Sequence, residues 1–108
     1  YLRDYDLGGT GFTALLLNRY RSGSVGRLVT VDKNGEELGS LDIREEVLNI
    51  SASGRYLAVL YADHLSVYNQ DLQAYATLQG TGDARDVLMR SDGSVLLLSG
   101  GSASLFLP

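Results

Sequence analysis

Gly9-Thr10-Gly11-Phe12-Thr13-Ala14 has the G-x-G-x-x-A spacing that brings backbone amides against a pyrophosphate, and Asp32 follows about 20 residues on, where a carboxylate would meet a ribose hydroxyl. That chemistry needs a buried parallel strand before Gly9 and a helix after Gly11. Neither is legible. Tyr1-Leu2-Arg3-Asp4-Tyr5-Asp6-Leu7 alternates charged and apolar residues, as a half-exposed antiparallel strand does. A helix from Phe12 would show apolar side chains at consecutive positions 14 to 17 and stop by Ser22-Gly23-Ser24. Gly11 therefore reads as a turn glycine, Asp32 as the opening of a hairpin turn, and no cofactor is expected.

Other residues with chemical potential are sparse. His64 is the single histidine, and with Asp63 beside it could act as a general base or metal ligand. In Ala62-Asp63-His64-Leu65 it falls in a hairpin turn, so the expectation is an exposed ring without a catalytic role. Serines are many, yet no G-x-S-x-G elbow occurs. Asp4 and Asp6 share a strand face, and Asp83, Asp86 and Asp92 gather around one connection. The calcium loop D-x-[DN]-x-[DN]-G is missing, so these carboxylates read as solvated and no metal is expected. Arg19, Tyr20, Arg21 and Arg27 flank Ser22-Gly23-Ser24-Val25-Gly26, and Tyr and Arg are favoured at binding hot spots. These four residues are the candidate interaction surface. Tyr56, Tyr61, Tyr68 and Tyr75 are expected to pack between structural units with their hydroxyls reaching the rim.

Composition narrows the classes further. The chain has 108 residues, 13 glycines, one proline, no cysteine and a net charge of -4. Without cysteine there is no disulfide, thiolate nucleophile or Cys-ligated zinc. The negative balance disfavours nucleic acid, whose non-specific affinity comes from Lys and Arg. No apolar run approaches the ~20 residues of a helical membrane span, so no direct membrane insertion by this segment is expected.

The elements that must position these residues are strands. Short runs of Val, Leu, Ile, Tyr and Thr are punctuated by turn residues every 8 to 12 positions, an all-β signature. Gly11-Phe12-Thr13-Ala14-Leu15-Leu16-Leu17 recurs as Gly54-Arg55-Tyr56-Leu57-Ala58-Val59-Leu60 and as Gly93-Ser94-Val95-Leu96-Leu97-Leu98. A tight turn with positive φ is expected at each glycine. Leu28-Val29-Thr30-Val31-Asp32, Leu65-Ser66-Val67-Tyr68-Asn69 and Ala103-Ser104-Leu105-Phe106 form a second set of copies, and the turns Lys33-Asn34-Gly35 and Gln70-Asp71 follow the first two. Val47-Leu48-Asn49-Ile50 and Val87-Leu88-Met89-Arg90 are expected to complete the units. Four strands per unit of about 40 residues is the period of a β-propeller blade. On that count, 1–10 holds the outer strand of a preceding or closing blade, 11–53 and 54–92 are blades, and 93–108 supplies the first two strands of another. The first strand of each unit, the most apolar, is expected innermost. The alternative is a freestanding β-sandwich.

The stretches "SASGRYLAVLYADHLSVYNQDLQ", "MRSDGSVLLLSGGSASLFL" and "VDKNGEELGSL" resemble β-propellers of the WD40-like and quinoprotein-like kind, although the Gly-His and Trp-Asp signatures are absent. More loosely, the chain is similar to the C-terminal part of a family of membrane-anchored bacterial propellers. That resemblance implies an extracytoplasmic sensing or scaffolding domain. The expected function is a non-catalytic interaction or assembly scaffold. Its partner is protein, either copies of itself or the remaining blades of a parent chain. Two alternatives stand beside it: a small-molecule or enzymatic site on the axis of a complete propeller, and a sandwich-type binding domain.

Overall fold

Turn residues delimit short strands along the whole described chain. The computed structural model describes residues 2–6, 11–18 and 26–107. Its strands are β1 (Leu2–Asp6), β2 (Phe12–Asn18), β3 (Gly26–Asp32), β4 (Glu37–Ile43), β5 (Val47–Ser53), β6 (Tyr56–Tyr61), β7 (His64–Asn69), β8 (Ala74–Gln79), β9 (Ala84–Met89), β10 (Val95–Ser99) and β11 (Ala103–Phe106). They form three antiparallel sheets, ordered β1-β2-β3-β4, β5-β6-β7-β8 and β9-β10-β11. The all-β class is as read from the sequence, and no helix occurs among the described residues. Gly11, Gly54 and Gly93 have φ of 81°, 62° and 92°, the left-handed turn conformation expected of them.

The strands are grouped differently from the sequence units. Val47–Ser53 does not complete the first unit: it pairs with β6 and opens the second sheet. Likewise Ala84–Met89 pairs with β10 in the third sheet. The strand near the N-terminus belongs with β2, not with a separate unit. The reason is local. Ser53 pairs with Tyr56, so only Gly54 and Arg55 lie between β5 and β6, and a two-residue turn joins neighbouring antiparallel strands of one sheet. The repeated glycines sit inside the sheets, not at their borders.

The middle sheet is covered on both faces. Leu57, Val59 and Tyr61 of β6 pack with Phe12, Ala14, Leu16 and Leu28 of the first sheet. Ala58 and Leu60, with Leu65 and Val67 of β7, pack with Val87, Met89, Val95 and Leu97 of the third. Alternation along one strand thus serves two cores, which explains why β6 carries no charged residue and only aliphatic ones between its end tyrosines. Three sheets in this arrangement also differ from the two facing layers of the sandwich alternative.

Successive sheets meet in the same way. The Ala52 amide of β5 donates to Asp6 Oδ2 of β1 at 2.9 Å, and the Met89 amide of β9 donates to Ser51 Oγ of β5 at 2.8 Å. Asp6 lies opposite Ala14 and Ser51 opposite Ala58, while Ala52 lies opposite Leu57 and Met89 opposite Val95. The two bonds therefore join corresponding positions of consecutive first strands.

The outer hairpins repeat as closely. Asp32 Oδ1 accepts from the amides of Asn34 and Glu36, and Asn69 Oδ1 accepts from those of Asp71 and Gln73. In both turns the fourth residue is left-handed: Gly35 with φ 82°, and Leu72 with φ 61°. A non-glycine residue there costs about 1–2 kcal/mol. Leu72 offsets this by burying its side chain in the core between the first two sheets, and full burial of a leucine gains about 1.5–3 kcal/mol.

Candidate functional site

Of the candidate interaction surface, Arg19, Tyr20 and Arg21 lie outside the described residues. Arg27 is exposed on β3, and its guanidinium donates to Ser40 Oγ of β4 at 2.9 Å. Gly11 is followed directly by β2, so the helix required by the dinucleotide fingerprint does not form. Asp32 caps its own hairpin turn.

His64 departs from the exposed-turn expectation. It begins β7, its side chain retains 17% exposure, and its ring stacks on Tyr61 with centroids 4.4 Å apart. Nδ1 lies 2.7 Å from Asp63 Oδ1, and Nε2 lies 3.6 Å from Glu45 Oε2. The bond to His64 holds the Asp63 carboxyl below the usual carboxylate range. Burial, together with a bond to Tyr68, pushes the Tyr61 phenol well above its ordinary value, so Tyr61 is a neutral packing residue.

Glu45, Asp63 and His64 offer ligand atoms within 4.8 Å of one another. Asp63 bonds Nδ1 and Glu45 lies nearer Nε2. Three ligand groups are one fewer than a structural zinc site uses. Among the described residues no hydroxyl bonds Nε2, which faces the Glu45 carboxylate. The arrangement tethers the β4–β5 connection to the β6–β7 turn.

The aspartates serve the fold. Asp83 and Asp92 lie beyond opposite ends of β9 and form no cluster. Asp92 Oδ1 accepts from the Ser94 hydroxyl at 2.6 Å and the Ser94 amide at 2.9 Å, and these bonds depress its pKa. Asp86 accepts from the Asn49 side-chain amide, linking β9 to β5. Of the four tyrosines, Tyr61 is buried, Tyr56 and Tyr68 pack partly buried between sheets, and Tyr75 is 52% exposed against Tyr56.

An open cleft of about 360 Å³ lies at one end of the second and third sheets, lined by Thr81, Asp83, Ser99, Ser102 and Ser104 among others. Ser99 and Ser102 bond one another at 2.8 Å.

A surface that the sequence analysis did not assign to particular residues is the outer face of the third sheet. Leu88, Leu96 and Leu105 stand in register across β9, β10 and β11, and Leu98 lies beside them. Leu88 is 51% exposed and Leu105 50%. Alternation in Val95-Leu96-Leu97-Leu98 was the available signal, hidden because both faces of that strand are apolar. No protein-family model matches the chain, and no curated protein matches it.

Proposed function

We propose that the chain is a β-propeller segment acting as a non-catalytic assembly scaffold. The observation that carries this reading is the repeated junction of first strands. Asp6 to Ala52 and Ser51 to Met89 place each sheet against the next through corresponding residues. A rule that adds each sheet to the last in one sense is how blades are set about an axis. A bare leucine face on the third sheet is the corollary, since the rule leaves it without a neighbour and exposed apolar surface favours association.

Catalysis is disfavoured by the same geometry. Asn49 of β5 and Asp86 of β9 satisfy one another, and His64 is held between carboxylates. The test is a panel of ester, phosphoester and glycoside substrates assayed with wild type and His64→Ala. Turnover lost in that variant, at an unchanged unfolding midpoint, overturns the scaffold reading. No His64-dependent turnover, with small-angle scattering that fits sheets splayed about an axis, supports it.

A further inference from the structure

The face that the third sheet leaves open corresponds, residue for residue, to the face that the second sheet uses to receive the third. On the second sheet, Ala58 pairs with Val67 and Leu60 with Leu65, and all four pack beneath the third sheet. On the third sheet, Leu96 pairs with Leu105 and Leu98 with Ala103 at the matching positions. Ser51, opposite Ala58, is replaced there by Leu88, opposite Leu96. A hydrogen-bond acceptor has become an apolar side chain, so the next junction is drier than the two before it.

The opposite surface is present on the same chain. The second sheet meets the first through Leu57, opposite Tyr68, and Val59, opposite Ser66. The matching pairs on the first sheet are Thr13 with Val31 and Leu15 with Val29, which point away from the second sheet. Val29 is buried, and Thr13, Leu15 and Val31 are half-buried.

Resting on the propeller reading, we infer that the leucine face of the third sheet receives the Thr13, Leu15, Val29 and Val31 face of a second copy. The occupant follows from continuity with the two junctions already formed, both of which bring a face of this second kind onto one of the first kind. Such an interface is heterologous and must either close or grow. Each copy brings three sheets. Propellers close with about 4 to 8 blades. Two copies then close a six-sheet ring with two identical interfaces.

The test is light scattering on a sizing column over a tenfold concentration range, with wild type, Leu105→Glu and Thr13→Glu. Leu105 is half exposed and Thr13 already polar, and far-UV circular dichroism with a cooperative melt confirms that each variant is folded. Wild type is expected at twice the chain mass and each variant at the chain mass. An equimolar mixture of the two variants is expected to recover dimer, because it restores one intact interface. A dimeric Thr13→Glu shows leucine faces packed on each other and overturns the head-to-tail pairing. A monomeric wild type throughout overturns the second copy as occupant, and leaves the scaffold reading standing. His64-dependent turnover overturns that reading whatever the mass.

Discussion

Gly39 of β4 and Asp71 of the β7–β8 turn approach so closely that a Cβ on Gly39 would overlap the Asp71 carbonyl. Nearby, Thr30 Oγ1 donates to the Gln70 carbonyl at 2.6 Å. Backbone from the second sheet is thus seated directly on the first, and only a residue without a side chain leaves room. Gly39→Ala is expected to destabilise the chain by about 1–3 kcal/mol or more, since neither backbone can yield without moving a sheet. Urea unfolding measures it, and a change below 0.5 kcal/mol, on the order of an inert surface substitution, would count against this contact.

Leu72 sets a backbone cost against a packing gain, and the two can be separated. Leu72→Gly relieves the left-handed strain of about 1–2 kcal/mol but removes a buried side chain whose loss, cavity included, costs about 2–5 kcal/mol. Net destabilisation is expected. In the matching turn Gly35 is exposed, so Gly35→Leu gains little burial and carries the strain alone. Thermal melts of both variants check the pair: a stabilised Leu72→Gly would mean that the side chain contributes little.

Ser51→Ala leaves the Met89 amide without its acceptor in the core between the second and third sheets. The expected loss is about 1–3 kcal/mol, the cost of an unsatisfied buried donor. Amide exchange at Met89 is the direct readout, and unchanged protection there would argue that another acceptor serves.

Acid should weaken the fold through Asp63 and Asp92, whose carboxyls lie below their ordinary pKa because of bonds to His64 and Ser94. A depressed folded-state value means that their stabilisation is complete above the unfolded pKa near 3.9. It is lost as pH falls through the folded value. In Asp92→Asn the acid-dependent loss should be smaller than in wild type. In His64→Phe, which keeps a ring on Tyr61 but removes both nitrogens, the Asp63 carboxyl should titrate higher. Carbon-detected NMR of the side-chain carboxyls reads both, and an unmoved Asp63 would show that His64 is not the cause.

What the sequence determined by itself was local. Alternating apolar runs placed the strands. Gly11, Gly54 and Gly93 marked turns with positive φ, and the pattern after Gly11 read as a strand, which β2 is. These features depend on residues near one another along the chain, where sterics and periodicity act. The tertiary structure alone decided which strands share a sheet. It also decided that Leu57 and Ala58 serve different cores, that His64 lies against Tyr61 between Glu45 and Asp63, and that the Leu88, Leu96 and Leu105 face has no neighbour within the described chain. An apolar side chain prefers burial against any apolar partner, because the hydrophobic effect is non-directional. Which partner it meets, and whether it meets one, is set by the geometry of the assembled sheets.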